Sequence, residues 1–386
     1  MPTASQKPPY DLIIVGAGPI GIATALAAQR AGLEYLVVEK GALTNSIYNY
    51  PVNMRFFSTS ELLALDDIPF VSREAKPSKQ EALDYYRSLA TSRDLNIQLY
   101  TKVTSIEGER NTGFSIKTNR GDLQARNVVL ATGFFDQPNR LNVPGEDLPH
   151  VSHYYGDPHE HALLHTVVVG ASNSAVDAAL EIYRKGGKVT LLVRGPEIGS
   201  RVKYWVRPDI LNRIKEGSIT AQFNTRVVEI MDNQLRLQTD DQTWTLDHVD
   251  RVLLLTGYLP DFSLLKDAGI TLYVQQADHE GFLHGGQAQQ GLTLSRKRNK
   301  NIPISAKAEM QYTQDQRHPN PIVPTYDAET LESNVPGLYL AGVVCGGEET
   351  HVWFIENSRA HGEMIVRDIV KTRDTEAPTS SAQNQN

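Results

Sequence analysis

The sequence predicts an α/β protein with two nested Rossmann-like dinucleotide-binding domains of the three-layer ββα type. Two stretches carry this prediction. In the first, an apolar strand at residues 10–15 runs directly into a G-x-G-x-x-G turn and then into a helix. In the second, which begins near His165, the same order of strand, small-residue turn, helix and strand recurs. This order is typical of the βαβ unit that binds the pyrophosphate of a dinucleotide.

The glycines of the first turn have separate roles. Gly16 permits the tight turn, Gly18 lets the backbone approach a pyrophosphate, and Gly21 lets the helix pack closely on the strand. Free N–H groups and the positive end of the helix dipole then hold the phosphates. The residues of this turn that we expect to touch the cofactor are Gly16, Gly18, Pro19, Ile20 and Gly21.

The first unit ends in an acidic residue. We expect a helix over residues 22–31 and a strand over residues 33–38, directly followed by Glu39 and Lys40. A carboxylate about twenty residues after the glycine turn accepts hydrogen bonds from an adenosine ribose. The first unit is therefore predicted to bind FAD, with Glu39 and Lys40 in its site.

The next segment, residues 41–57, combines turn formers with aromatic residues and predicts a loop. Such a loop passes over the cofactor, so two interpretations are open. Either its Tyr and Asn side chains stack on and hydrogen-bond to a flavin, or the aromatic residues have only a structural role. The first interpretation assigns to the FAD site Ser46, Tyr48, Tyr50 and Asn53.

The rest of the first domain reads as a helix followed by strands. We expect the helix over residues 79–92 and strands over residues 97–100, 103–107, 114–118, 122–125 and 128–130. The last strand closes with a small-residue turn, which lets backbone approach a ligand. The predicted FAD contacts in this part are Val103, Ala131, Thr132 and Gly133.

The second unit repeats the first with one informative change. It has a strand at residues 167–169, a helix that runs to about residue 185 and a strand at residues 189–193. Arg194 stands where the first unit has Glu39, and an arginine there accommodates a 2′-phosphate, unless it is a solvated surface residue. The second unit is therefore predicted to bind NADPH through Gly170, Ser172, Asn173, Ser174, Ala175, Arg194, Arg201 and Lys203.

The C-terminal part begins after a strand at residues 252–255 that ends in Thr-Gly-Tyr. Residues 278–320 are polar and predict an insertion, and their basic run at 296–300 is either a solvated loop or a docking site for an acidic protein. A strand and small-residue turn at residues 337–343 place Gly342 and Val343 against FAD.

A helix is predicted from about residue 350 to residue 372, with its positive end toward the flavin. His351 at its start either donates a hydrogen bond to flavin or substrate or has no chemical role. Residues 374–386 form a tail of Ser, Gln, Asn and Thr that we expect to be disordered.

These elements predict a discontinuous FAD domain and an inserted NADPH domain. The FAD domain comprises residues 1–155 and 262–373, with the insertion at about 278–320. The NADPH domain comprises residues 156–261. We expect two or three domains for a chain of 386 residues.

Composition excludes several classes. The net charge of −7 argues against a general binder of nucleic acid or of anionic membranes. The N-terminal residues lack the apolar run of a signal peptide, and no stretch of about 18 apolar residues predicts a transmembrane helix. The single cysteine, Cys345, permits no internal disulfide, so we expect a cytoplasmic protein. We predict no metal site.

The order of these motifs resembles that of the thioredoxin-reductase-like flavoproteins over nearly the whole ordered chain. Within that group, several segments look like the bacillithiol disulfide reductase (YpdA-type) branch: residues 39–41, 46–51, 56–58, 173–175, 177–180 and 354–357. The resemblance implies a thioredoxin-reductase-like fold with FAD and NADPH as cofactors. It also implies a homo-oligomer, either a dimer or a tetramer.

Two departures from the family bear on function. The Cys-x-x-Cys dithiol of thioredoxin reductases matches residues 151–158 here, which contain no cysteine, and Ile20 occupies the place of the cysteine that the branch carries in the first turn. Reduction of thioredoxin through an internal dithiol is therefore excluded. Cys345 is interpreted as a small buried hydrophobe rather than as a redox centre.

Three functions remain open. The first is an NADPH-dependent FAD oxidoreductase that passes electrons to an acceptor such as a small disulfide. The second is a ferredoxin- or flavodoxin-NADP reductase, which needs no cysteine. The third is a flavin monooxygenase, indicated by a partial motif at residues 144–154. The fold alone does not decide among them.

Overall fold

The computed structural model describes residues 10–274, 302–303 and 321–376 of the chain. The strands are β1 (Tyr10–Val15), β2 (Tyr35–Val38), β3 (Ile97–Gln98), β4 (Val103–Glu109), β5 (Gly113–Thr118), β6 (Gly121–Leu130), β7 (Gln137–Pro138), β8 (Val151–Ser152), β9 (His165–Val169), β10 (Lys188–Leu192), β11 (Thr220–Gln222), β12 (Thr225–Ile230), β13 (Gln234–Thr239), β14 (Gln242–Asp247), β15 (Arg251–Leu254), β16 (Tyr258–Leu259), β17 (Leu272–Val274), β18 (Ile302–Pro303), β19 (Ile322–Pro324) and β20 (Leu338–Leu340). The helices are α1 (Pro19–Arg30), α2 (Asn45–Tyr48), α3 (Ser60–Leu63), α4 (Lys79–Ser92), α5 (Asn173–Arg184), α6 (Arg207–Lys215), α7 (Phe262–Asp267), α8 (Ile355–Ser358) and α9 (His361–Glu376).

The first sheet has the order β3-β2-β1-β6-β5-β4, and β20 also pairs with β6. Strands β1, β2, β6 and β20 run parallel, so their carboxyl ends meet at one edge. Ligands of open α/β sheets bind outside that edge. The first glycine turn follows β1, the Ala-Thr-Gly turn follows β6, and the Ala-Gly turn follows β20. The sheet therefore brings together three turns that are far apart in the sequence.

Strand β1 is buried on both faces, as expected of a strand within a parallel sheet. Ile13 and Val15 belong to a core that also contains Cys345, and Leu12 and Ile14 face the opposite core, to which α1 and α9 contribute. The continuous apolar run of β1 is thus a consequence of its two covered faces.

The second unit contains a parallel sheet of order β11-β10-β9-β15-β8. Helix α5 packs on this sheet, and the antiparallel strands β12, β13 and β14 form a separate three-stranded sheet. Strand β8 at residues 151–152 belongs to the second sheet, although the predicted domain boundary after residue 155 assigns it to the first domain. The predicted boundary therefore separates β8 from β15, the strand with which it pairs.

Several predicted elements differ in their bounds. Residues 122–125 and 128–130 form one strand, β6, because its amino-terminal part pairs with β5 and its carboxyl-terminal part with β1. The predicted loop at residues 41–57 contains the one-turn helix α2. Helix α4 has the predicted bounds, since Ser78 and Glu81 form a capping box at its start.

The helix predicted from residue 350 is wrong. Residues 350–354 form turns, the short helix α8 follows, and α9 begins only at His361. The Asn357 side chain accepts a hydrogen bond from the Phe354 N–H (2.7 Å) and donates one to the Val352 carbonyl (2.8 Å). Asn side chains that bond to nearby backbone in this way favour turns over helix.

Residues 374–376 continue α9, so the predicted disordered tail begins too early. Most of the predicted insertion at residues 278–320, including the basic run at 296–300, lies outside the described residues, as do residues 377–386. Each described helix is too short or too polar to cross a membrane.

Candidate functional site

The first glycine turn has the geometry of a cofactor cradle. Gly16 has a φ of 111°, and a Cβ there would collide with the Ala131 carbonyl of the neighbouring turn. A Cβ on Gly21 would collide with the Gly16 carbonyl. A Cβ on Gly18, by contrast, would meet nothing within 4 Å. Gly16 and Gly21 are therefore required by packing, whereas Gly18 leaves open the space that a ligand would occupy.

Glu39 is anchored beside this turn. Its carboxylate accepts hydrogen bonds from the Ala17 N–H (2.8 Å) and the Gly41 N–H (2.9 Å), and it is 6% exposed. Burial raises the pKa of the Glu39 carboxyl, while these two N–H donors oppose the rise. Each carboxylate oxygen accepts more than one hydrogen bond, so Glu39 retains capacity for a ribose hydroxyl.

A cavity of about 250 Å³ lies at the carboxyl edge of the first sheet. Six of the predicted FAD residues line it: Gly16, Glu39, Lys40, Val103, Thr132 and Gly133. The hydroxyl of Thr132 is buried and has no hydrogen-bond partner among the described residues. Buried polar groups are nearly always paired in folded proteins. A polar cofactor at this edge would supply the missing partner, so the residues present fit FAD.

The ion pair of Lys40 with Asp136 (2.7 Å) joins two segments of the cavity wall. Asp136 was not predicted as a site residue, although it lies only three positions after Gly133. A carboxylate soon after a small-residue turn was the available signal.

Side chains of the loop at residues 41–57 differ in what they contact. Ser46 lies near Gly133, since a Cβ on Gly133 would be 3.8 Å from its Oγ. Tyr50 packs edge-on against Phe135 at 4.8 Å between ring centroids, and burial raises its pKa to about 12. Tyr48 is 58% exposed. Asn53 instead donates a hydrogen bond to Glu181 of α5 (3.3 Å), so the structure directs it to the second unit.

Aromatic side chains connect the two units. Phe135 packs against Tyr258 at 4.4 Å and against Tyr154 at 5.4 Å, and Tyr154 stacks on Tyr258. Phe135 follows the first Thr-Gly turn by two positions, and Tyr258 follows the second Thr-Gly turn by one position. This repeated pattern in the sequence was the available signal for these two aromatic residues. Tyr155 donates a hydrogen bond to Glu181 (2.9 Å). Tyr154 and Tyr155 belong to residues 151–158, which contain no cysteine.

The third turn holds Gly342, whose φ is 81°. A Cβ on Gly342 would lie 3.2 Å from Cγ1 of Ile20, so this turn rests on the first glycine turn. The N–H of Gly342 donates a hydrogen bond to Nδ1 of His361 (3.1 Å). Val343 follows in a 3₁₀ helix, Gly342–Gly346. The structure thus brings Gly342 and Ile20 together, whereas their contact with FAD stays a prediction.

His351 does not begin a helix. It lies exposed in the turn before α8, so the expected helix dipole at this histidine is absent. Although the residue is exposed, the part of its ring that is shielded from water loses hydration, and this loss and the positive charge of Arg201 both lower the pKa of His351. His351 and Arg201 therefore interact electrostatically, although they belong to different units. The histidine that is buried beside the Gly342 turn is His361. The sequence predicted this residue to lie inside a longer helix and gave no signal for a role in the site.

The second glycine turn repeats the first. Gly170 has a φ of 140°, and a Cβ there would come 2.5 Å from the Leu255 carbonyl and 3.0 Å from the Cβ of Ala175. Ser172 is the N-cap of α5, with Asn173 and Ser174 in its first turn. Asn173 also accepts a hydrogen bond from the Lys203 N–H (2.8 Å) and donates one to the Arg201 carbonyl (3.2 Å). It thereby holds the segment at residues 201–203 against the turn.

The three predicted phosphate-binding cations differ in their surroundings. Arg194 is exposed, and no ion pair or hydrogen bond joins its guanidinium to the part of the chain that the structure describes. Arg201 is also exposed. Lys203 forms an ion pair with Asp177 of α5 (2.8 Å), which neutralises it. In this structure the Lys203 ammonium pairs with Asp177, so its share in the 2′-phosphate stays a prediction.

Cys345 lies in the 3₁₀ helix that begins at Gly342 but has the environment of a structural residue. It is 2% exposed, and burial raises the pKa of its thiol far above the usual range. Its Sγ is 4.0 Å from Nδ1 of His361. A thiol becomes reactive as the thiolate, so this environment opposes redox chemistry at Cys345.

Comparison with known proteins agrees with this arrangement. A model of the pyridine nucleotide-disulphide oxidoreductase family matches residues 13–280. The bacilliredoxin reductase Bdr of Bacillus subtilis (strain 168) is 32% identical over 359 residues, which are 93% of this chain and 97% of the relative.

Two solved structures share the fold over nearly the whole chain. The bacillithiol disulfide reductase Bdr (YpdA) from Staphylococcus aureus is 31% identical with a TM-score of 0.79, over 94% of this chain and 98% of its own. The same enzyme from Bacillus cereus is 32% identical with a TM-score of 0.79, over 94% of this chain and 99% of its own.

Proposed function

Because this chain belongs to the pyridine nucleotide-disulphide oxidoreductase family, we propose that it is an NADPH-dependent FAD oxidoreductase that delivers electrons directly to an acceptor. The family resemblance and the thioredoxin-reductase-like fold predicted from the sequence are confirmed. The chain is an oxidoreductase of a family that depends on FAD and a pyridine nucleotide. The choice of NADPH and the route to the acceptor are the parts that we propose.

The observation that carries the FAD site is the cavity at the carboxyl edge of the first sheet. Its lining combines the anchored carboxylate of Glu39 with the hydroxyl of Thr132, which has no partner among the described residues. Gly16 of the first glycine turn also lines it, and Gly18 of the same turn has open space beside it. The chain's residues would bind the adenosine ribose through Glu39 and the pyrophosphate through the N–H groups at the start of α1. When bound, FAD accepts a hydride from the nicotinamide and passes electrons on.

The second unit supplies the nicotinamide site. Gly170 permits the tight turn before α5, and the N–H groups at the start of α5 would hold a pyrophosphate. Arg194 follows the carboxyl end of β10, where Glu39 follows β2 in the first unit. The side chains of Arg194 and Arg201 would pair with the 2′-phosphate that distinguishes NADPH from NADH. The aromatic group around Phe135 and Tyr258 would exclude water from the space between the units.

The acceptor meets the flavin without a protein thiol in between. Residues 151–158 contain no cysteine, and the only cysteine of the chain is buried with a raised pKa. Two acceptors fit this route: a small disulfide, as the names of the Bdr relatives indicate for those enzymes, and a redox protein of the ferredoxin type. We further propose a cytoplasmic homo-oligomer, a dimer or a tetramer, in keeping with the single cysteine and the family resemblance.

Stopped-flow reoxidation tests this function. The holoenzyme is reduced anaerobically with one equivalent of NADPH and mixed with bacillithiol disulfide, with ferredoxin or with oxygen, while flavin absorbance is followed. We expect rapid reoxidation by the disulfide or by ferredoxin. Rapid reoxidation by oxygen alone, with a hydroperoxide absorbance band, would instead assign a monooxygenase. Purified protein that binds no FAD would refute the proposal altogether.

A further inference from the structure

His361 is a buried histidine whose tautomer is set by the backbone. It is the first residue of α9 and is 2% exposed. Its Nδ1 accepts the hydrogen bond of the Gly342 N–H at 3.1 Å. A ring nitrogen that accepts an N–H bond carries no proton, so the ring is neutral and its proton is on Nε2.

The surroundings of the ring keep it neutral. Trp353 packs against it at 4.6 Å between ring centroids, and the Cys345 thiol lies 4.0 Å from Nδ1. The pKa of this thiol is raised by burial, so the thiol is uncharged. On α9 itself, Glu363 turns to Arg30 of α1 (3.1 Å). Burial is the cause that lowers the pKa of His361 to about 4.

The Gly342 N–H that His361 binds belongs to the turn that completes the FAD edge. Gly342 follows β20 directly after Ala341, and its Cα faces Ile20 of the first glycine turn so closely that a Cβ would lie 3.2 Å from Cγ1. The N–H is buried with the ring, and an unpaired buried N–H is costly. The position of this turn therefore depends on the acceptor that α9 presents.

We propose that His361 is a positioning residue for the flavin. Its unprotonated Nδ1 fixes the Gly342–Val343 turn against the first glycine turn, and the Gly342–Val343 turn contacts the bound FAD. The inference rests on the proposed function, because it requires FAD at this edge. His361 acts through the backbone and does not itself touch the reacting atoms. Protonation of Nδ1 would place two donors face to face and release the turn.

The test compares two substitutions that differ in one acceptor. His361→Asn places an amide oxygen close to the original Nδ1, whereas His361→Leu keeps volume and removes the acceptor. FAD release from the diluted holoenzyme is followed by the rise in flavin fluorescence. We expect about ten-fold faster release from His361→Leu and release within about three-fold of wild type from His361→Asn. Hydrogen exchange of the peptide that contains Gly342 should accelerate in His361→Leu only.

A matched control separates positioning from loss of stability. His165 of β9 is similarly buried and hydrogen-bonds Thr190 (2.9 Å) and the His248 carbonyl (2.8 Å) in the second unit. His165→Leu should lower the thermal stability without accelerating FAD release. If His361→Leu does not fold, acid provides the second measurement. As the pH falls from 6 to 4, FAD release from wild type should accelerate more than FAD release from His361→Asn. Because Glu39 titrates in both proteins, its effect cancels in the ratio of the two release rates.

Either of two results would overturn the proposal. One is FAD release from His361→Asn as fast as from His361→Leu, which would show that packing rather than the acceptor matters. The other is a ratio of wild type to His361→Asn that stays constant with pH. Failure of the underlying function has a different signature, since wild-type protein would then bind no FAD.

Discussion

Substitution of Arg194 by alanine should separate NADPH from NADH. Arg194 lies two residues after the end of β10, which places it at the carboxyl edge of the second sheet, where nucleotides bind. Its guanidinium is exposed and has no ion-pair partner among the described residues, so no internal contact is lost when it is removed. The change therefore reports on the ligand alone.

The magnitude comes from one charge-assisted contact. A hydrogen bond to a charged group contributes about 1.5–3 kcal/mol, and Arg201 remains to share the phosphate. We expect the KM for NADPH to rise about 10- to 100-fold, with kcat at saturating NADPH nearly unchanged because the contact is remote from the transferred hydride. The kinetic constants for NADH should change little. The steady-state assay follows NADPH oxidation with ferricyanide as acceptor.

Two variants sharpen the comparison. Arg251 begins β15, and β15 and β10 both run parallel to β9, so Arg251 lies at the opposite edge of the sheet. Arg251→Ala removes the same charge and should leave the KM for NADPH unchanged. Lys203→Ala breaks the ion pair with Asp177 and should lower stability more than it alters the NADPH to NADH preference. Wild-type enzyme that uses NADH as well as NADPH, or an Arg194→Ala variant that loses both equally, would refute the reasoning.

Three further predictions follow from buried or open positions. Gly18→Glu should fold, because the space beside Gly18 is open, but should be purified without yellow colour, since the carboxylate enters the pyrophosphate site; a full complement of FAD, read from the visible absorbance, would contradict the site. Cys345→Ala should lose about 1–2 kcal/mol of stability from the small cavity and keep most of its NADPH–ferricyanide activity, whereas inactive protein that still holds FAD would show that the thiol matters. Burial lowers the pKa of His361 from 6.5 to about 4, so between these pH values the unfolded chain binds a proton that the folded chain does not. The free energy of unfolding of the wild type should therefore fall by about 3 kcal/mol over that window relative to that of His361→Asn. Urea titrations of both proteins at pH 7 and pH 4 measure this difference. Its absence would show that the ring is not buried in the neutral form.

The sequence predicted those parts of the fold that depend on neighbouring residues. The turn at residues 16–21 could be recognised because each glycine meets a local steric requirement, and the structure shows those clashes at Gly16 and Gly21. Helix α4 has its predicted bounds because its cap lies within one turn of its start. The similarity of the two units was visible for the same reason, since each is a continuous stretch of chain.

The helix that was predicted from residue 350 shows where local reasoning ends. In this segment the Asn357 side chain bonds to the Phe354 N–H and to the Val352 carbonyl, which a continuous helix would pair with its own backbone. The choice between these hydrogen bonds and a continuous helix depends on what the segment packs against. For the same reason, His351 does not lie at the start of a helix as predicted, and His361 begins α9 instead.

The sequence by itself determined that two dinucleotide units exist and that one ends in a carboxylate and the other in a guanidinium. Only the tertiary structure decided which charged groups remain available. Lys203 is neutralised by Asp177, which lies 26 positions away, and Asn53 is turned toward Glu181 at a separation of 128 positions. Motifs fix the backbone through local sterics, whereas the partner of a polar side chain depends on which distant segments the sheets bring to one edge.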